Sequence, residues 1–255
     1  FHGTSKPSCP SAFLSDFIEE VKQLLDEGLF LEGKQYKIEI TAFVCDAPAR
    51  SYLKQIKAHN GYHGCERCVQ DGQWFHEERR MAYPEFQAGL RSDASFKQMI
   101  DEDHHVGESP LSILPVGLVS QFPLEYMHLV CLVVVRRLLS LWLDSNGPKK
   151  VRLPHHVRST ISEKLISLQS SIPKEFARKP RSLVEKNRWK ATELRLFLLY
   201  TGPLVLSKQL DCEVYQNFML LSCAIRILAD PLMFQKHTDF AKNLLEKLKF
   251  CEALC

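Results

Sequence analysis

Two short stretches of this chain carry residue types that can do chemistry. Cys45-Asp46-Ala47-Pro48-Ala49-Arg50 places one carboxylate at the end of an apolar run. Nineteen residues after Asp46 comes Cys65, in Gly61-Tyr62-His63-Gly64-Cys65-Glu66-Arg67-Cys68. A carboxylate can hold a catalytic divalent ion. Two thiolates separated by two residues can clamp one tetrahedral Zn²⁺, and Gly61 and Gly64 let the backbone turn around it. Together they point to phosphoryl transfer on nucleic acid, an expectation neither element supports alone.

Each of these residues also has a plainer reading. The Cys-x-x-Cys needs two more ligands, and His59, His63, His104, His105 and His128 are the candidates. A redox pair is an alternative, although thioredoxin-like pairs open a helix directly after a strand and this one sits in a Gly-rich loop. Simple packing is the third. Asp46, just before Ala-Pro, suits a helix N-cap as well as a metal. Glu193, in Arg188-Trp189-Lys190-Ala191-Thr192-Glu193, suits the first turn of a helix, where the dipole favours an acid. Spacing predicts that Trp189, Lys190 and Glu193 share a face, a setting for a metal ion against a DNA phosphate. The basic run Lys174–Lys190 is either a solvated face or a phosphate track.

The elements that must position these residues are predicted from periodicity. Ser11 caps a helix over 12–27, with Phe13, Phe17, Val21, Leu24 and Leu25 at helical spacing, and Gly28 stops it. Lys34 to Val44 alternates as a strand, so Asp46 falls just past its C-terminal end, where open α/β sheets bind ligands. Pro48 suits the first turn of a helix running to Lys57. Residues 61–73 form a Gly/Cys turn region, and 75–103 an irregular polar excursion. Leu124–Leu143 is an apolar helix. Further helices are expected over 157–170, 192–200, 213–228 and 238–248, with a basic loop over 146–153.

Composition narrows the class. The chain has 255 residues, 45% apolar and 25% charged, as an ordinary globular protein does. A net charge of +3 leaves room for a local basic face without demanding one. Nine cysteines, an odd number, seven of them without a partner at short regular spacing, read as reduced core thiols plus one Cys-x-x-Cys, an intracellular pattern. No segment reads as a secretory signal. Glu125, His128, Arg136 and Arg137 inside the longest apolar run argue for a buried helix and against a membrane span.

Five blocks in order resemble animal transposases of the CACTA (En/Spm) type. They are Asp-Ala-Pro-Ala-Arg at 46–50, Gly-Tyr-x-Gly-Cys-x-x-Cys at 61–68, His-His-x-Gly-x-Ser-Pro-Leu at 104–111, Tyr-Met-His-Leu-Val-Cys-Leu at 126–132 and Arg-Trp-Lys-Ala-Thr-Glu at 188–193. The family consists of DDE transposases with an RNase H-like fold, and is more distantly similar to Transib transposases and the antigen-receptor gene recombinase. The resemblance implies Asp46 and Glu193 as the second and third catalytic carboxylates, holding Mg²⁺ for two-metal phosphoryl transfer. It implies Cys65, Cys68 and His128 as zinc ligands, with His105 as the fourth. DNA is the implied partner, contacted by Arg50, Lys54, Lys57, Arg178, Lys179, Arg181, Arg188 and Lys190. Self-association, a nuclear location and neither a membrane nor a small-molecule substrate go with it.

The departures shape the expected architecture. The fold's first three strands and first catalytic Asp are expected before Phe1, and the C-terminal part of the family domain beyond Cys255. Glu125 stands where the family has Asp, and Val133 where it has Gly. The expected fold is therefore α/β, a partial RNase H-like core over 1–75 with the Cys-x-x-Cys knuckle. A zinc-linked helical insertion follows over 76–190 and a helical C-terminal part over 191–255. The expected state is a fragment, a decayed copy or a host-adopted derivative. It is either inactive alone or a zinc-stabilised nucleic-acid-binding or protein-interaction module.

Overall fold

A computed structural model of the chain describes residues 7–76, 80–85, 87–145 and 147–248. Cys251 and Cys255 and the start of the basic loop at Asn146 lie outside them. The fold is mixed α/β, mostly helical, with two small antiparallel sheets among the described residues. The chain divides into two compact units, 1–125 and 126–255. The expected divisions near 75 and 190 do not coincide with this one.

In the first unit, helix α1 spans Pro10–Glu27. It starts two residues before the expected Ala12, and its cap lies two residues before the expected Ser11. Cys9 is the N-cap, its Sγ accepting from the Ala12 N–H at 3.5 Å, and Pro10 takes the first helical position, where its missing N–H costs nothing. Gly28 ends the helix at φ 72°, and an added Cβ there would lie 2.6 Å from the Tyr36 carbonyl oxygen. The buried face is Leu14 and Ile18, whereas Phe13 and Phe17 stay exposed.

Strand β1 (Leu29–Leu31) pairs antiparallel with β2 (Lys34–Tyr36), in the register Leu29↔Tyr36. The predicted strand to Val44 stops at Tyr36 for a simple reason. Among the described residues its partner is β1, which begins at Leu29 directly after the helix stop, so no partner residue is left for the chain past Tyr36. Beyond it Gln121 holds the chain at two points. Phe43 N–H donates to the Gln121 carbonyl at 2.8 Å, and the Gln121 side-chain amide donates to the Ile40 carbonyl. The Phe43 ring stacks on Phe122 at 4.8 Å.

Helix α2 (Ala47–Lys54) follows, ending three residues before the expected Lys57 because Gln55 turns left-handed at φ 53°. The described residues of the 75–103 stretch include regular elements where an irregular excursion is expected. A hairpin, β3 (Gln73–Phe75) with β4 (Arg80–Ala82), is followed by α3 (Asp93–Lys97), capped by Ser92. A core of Leu14, Ile18, Ile56, Phe96, Leu111 and Phe122 binds these pieces together.

The described residues of the second unit form helices joined by loops, with no strand among them. The apolar run forms a π-wound stretch, Met127–Val135, continuing into α4 (Arg136–Leu143). Arg136 and Arg137 face solvent. No helix among the described residues is long and apolar enough to cross a membrane. Helix α5 (His155–Ser167) precedes the basic segment. Then come α6 (Ala191–Leu196), a π-wound turn Phe197–Thr201, α7 (Gly202–Leu206), α8 (Cys212–Leu228) and α9 (Pro231–Lys247). The last helix begins seven residues before the expected Thr238 (Asp230 caps it and Pro231 opens it), and His237, at φ −131°, kinks it directly before that residue. Trp142, Leu165, Leu194, Phe197 and Phe218 lie in its core.

Candidate functional site

The Cys-x-x-Cys loop is held from several sides. Tyr83 Oη donates to the carbonyls of His59 and Gly61 at 3.0 and 2.6 Å. Arg91 Nε donates to the Cys65 carbonyl at 3.0 Å, and Arg67 reaches the carbonyls of Val119 and Phe122. Gly64 is required by close approach: a Cβ there would sit 2.1 Å from the Ala58 carbonyl oxygen.

The two thiols meet at a Sγ–Sγ distance of 3.0 Å, both half-buried and unbonded. Burial pushes the Cys68 thiol up, and the bond to Cys65 adds to that, while the Gln70 amide, donating at 2.7 Å, opposes it. The remaining described cysteines are less uniform than predicted. Cys131 is a buried thiol, but Cys9, Cys212 and Cys223 are exposed.

The candidate histidines divide. His59 is exposed, and His63 pairs through Nδ1 with Asp71 at 3.0 Å. His105 packs its ring against Phe96 at 4.6 Å and borders a cavity of about 230 Å³ shared with Arg91 and Asp101. His128 lies half-buried on the π-wound stretch of the second unit.

His104 is completely buried. Its Nδ1 lies 2.6 Å from the His63 carbonyl oxygen, which only accepts, so Nδ1 carries the proton. Its Nε2 is sealed from solvent with no hydrogen-bond partner among the described residues. Burial lowers its pKa to about 4, so the ring is neutral. A neutral imidazole held through Nδ1–H by a backbone carbonyl is the form that ligates metals. The thiols therefore fit half of a zinc donor set, and His104 has the chemistry of a further donor. Yet no three His, Cys, Asp or Glu side chains converge as a metal-holding group among the described residues.

The acid predicted beside this knuckle has a structural job. Asp46 is the N-cap of α2, its Oδ1 accepting from the Ala49 N–H at 2.8 Å. The cations next to it are not displayed to a ligand. Arg50 and Lys54, one turn apart, both point inward onto Glu66, with contacts of 2.9 and 3.1 Å. All three are buried, and Lys54 also lies over the rings of Phe96 and Phe122. Burial lowers the Lys54 pKa, and Glu66 resists the shift. Of the three cations expected on DNA in this region, Lys57 alone is exposed.

Sequence reasoning missed Glu66. The i, i+4 spacing of Arg50 and Lys54 shows that they can serve one carboxylate. Nothing local shows that the carboxylate comes from inside the Cys-x-x-Cys.

In the second unit, Glu193 is the third residue of α6 and is buried. Its Oε2 accepts from the Lys190 backbone N–H at 2.8 Å. Arg181 takes both oxygens, Nε to Oε1 at 2.6 Å and Nη2 to Oε2 at 3.1 Å. Burial raises the Glu193 pKa, but Arg181 and the Lys190 N–H outweigh it, and the net shift is downward. The three residues expected on one face divide by burial: Trp189, packed against Phe197, and Glu193 are inside, whereas Lys190 stays in solvent. Arg181, expected on DNA, is committed to Glu193 and Glu185. Lys186 is committed to Asp144. Arg178, Lys179, Arg188 and Lys190 remain exposed, as does Lys174.

A catalytic Mg²⁺ does not fit these acids as they stand. A hard cation needs free carboxylate oxygens, and both of Glu193's are taken. No protein-family model, curated protein or solved structure matches this chain.

Proposed function

We propose that this chain is a non-catalytic, nucleic-acid-binding derivative of a DDE-transposase-like domain, with a partial RNase H-like core and a zinc-binding Cys-x-x-Cys. The observation that carries the reading is the contrast around Glu193. The one acid placed to act among the cations is clamped by Arg181, while Arg178, Lys179, Arg188 and Lys190 face solvent. Seven cations and two acids lie within 174–190. Such a surface attracts phosphate by releasing counterions. The thiol pair supplies two zinc donors, with His104 and His105 of the same unit as the candidates for further ones.

The test is binding of a fluorescent DNA duplex by the whole chain, followed by anisotropy across a salt series. Affinity is expected to fall with salt at a slope of roughly −0.9 per phosphate contact. The quadruple change Arg178→Glu, Lys179→Glu, Arg188→Glu, Lys190→Glu is expected to abolish binding with the fold intact by circular dichroism. Salt-independent or absent binding rejects the reading. Mg²⁺- or Mn²⁺-dependent nicking of supercoiled DNA, lost in Asp46→Asn, establishes instead the active-nuclease alternative implied by the five sequence blocks. About one zinc per chain, lost in Cys65→Ser/Cys68→Ser, is the expected metal content.

A further inference from the structure

We propose that Cys65 and Cys68 are an oxidisable dithiol, which a two-electron oxidant of the peroxide class closes to a disulfide. The geometry carries the inference. Their sulfurs are 3.0 Å apart. A disulfide needs about 2.05 Å. Two thiolates at about 2.3 Å from one tetrahedral zinc stand roughly 3.7 Å apart. The free pair thus sits between the two states, closer together than zinc alone requires.

The backbone on both sides of the pair is fixed, so the sulfurs cannot drift apart by loop motion. Arg91 holds the Cys65 carbonyl. The Arg91 N–H donates to the Arg67 carbonyl at 2.9 Å, and the Val69 N–H to the Gly89 carbonyl at 2.8 Å, bracketing Cys68. The Arg67 guanidinium anchors the residue between them to Val119 and Phe122. Closure shortens the Sγ–Sγ distance by about 1 Å. Both thiols are half-buried and open to a small oxidant.

The step balances. One thiolate attacks the O–O bond of hydrogen peroxide and becomes a sulfenic acid, and water leaves. The second thiol attacks that sulfenic sulfur, forms the S–S bond and expels a second water. Two thiols are oxidised by two electrons, and one peroxide is reduced to two waters. The product has no thiolate left to bind a metal, so oxidation and zinc binding exclude each other. That last statement rests on the zinc reading above; the disulfide does not.

The experiment treats the whole chain, as purified, with hydrogen peroxide. Free thiols are then blocked and the non-reduced tryptic digest is mapped. The expected product links the peptide ending at Arg67 to the one beginning at Cys68, and it accumulates before the exposed Cys9, Cys212 and Cys223 are oxidised. Cys65→Ser and Cys68→Ser are each expected to leave a sulfenic acid on the remaining sulfur, trapped by dimedone. Cys65 and Cys68 remaining as blockable as Cys212, or a linkage to another cysteine, overturns the proposal, and the wild-type digest decides this even where a variant fails to fold. A parallel arm adds Zn²⁺ and a chromophoric chelator. Zinc release in step with the linkage supports the exclusion. A linkage formed by a chain that never binds zinc upholds the disulfide and removes the zinc reading.

Discussion

Arg181 grips Glu193 by both carboxylate oxygens, at 2.6 and 3.1 Å, and also donates to Glu185 and the Arg188 carbonyl. One guanidinium therefore ties the basic segment to the start of α6. Arg181→Ala strands a buried carboxylate and is expected to cost about 3 kcal/mol. The pH dependence has a definite sign. The folded Glu193 pKa lies below its unfolded value of about 4.3, so its stabilisation is complete above that pH and disappears as pH falls through the folded value. Urea unfolding of wild type and Arg181→Ala at pH 7 and below pH 4 checks this; a gap between the two that persists undiminished in acid rules it out.

Glu66 compensates two buried cations at once. Glu66→Gln leaves Arg50 and Lys54 buried against a neutral amide and is expected to destabilise the first unit by about 3–5 kcal/mol. Lys57→Ala, at an exposed position, is expected to stay within about 0.5 kcal/mol. Equal melting curves for Glu66→Gln and wild type would show that the triad does not hold the loop.

Asp46 offers a clean separation of capping from metal chemistry. Asn caps as well as Asp, so Asp46→Asn is expected to melt like wild type, whereas Asp46→Ala loses about 1 kcal/mol. The non-catalytic reading adds that neither substitution changes DNA binding, measured by anisotropy.

Gly64 has no room for a methyl group between the Ala58 carbonyl and the Tyr83 hydroxyl. Gly64→Ala is expected to cost about 1–3 kcal/mol, because the clash is with backbone. It is also expected to slow Cys65–Cys68 closure under peroxide by loosening the loop. Thermal melting and the rate of the linked tryptic peptide measure the two effects.

Some of this was legible in the chain and some was not, for reasons that differ by residue. Gly28 stops its helix because it alone tolerates the backbone required there, and such local punctuation reads directly. The alternation from Lys34 to Val44 is equally clear, yet strand formation depends on a partner, which β1 supplies for three residues only. Arg50, Lys54 and Arg181 read as surface cations because their spacing and type are those of surface cations. What draws them inward is a carboxylate 12 to 16 residues away, and no periodicity encodes it. His104 looked equivalent to His105, and its solitary Nε2 became visible only once burial was known.

The stretch from Lys37 to Val44, tethered through Gln121 and unpaired beyond Tyr36, has a consequence for exchange with solvent. Its alternate residues have the composition of a sheet, but of its amides the Phe43 N–H is the one in a backbone bond to Gln121. In deuterated water the neighbouring amides are expected to exchange near the rate of an open chain, with Phe43 lagging. A protease that needs an extended substrate finds one here, and a single cut would sever the covalent link between Leu14 and Ile18 and the rest of the core they share.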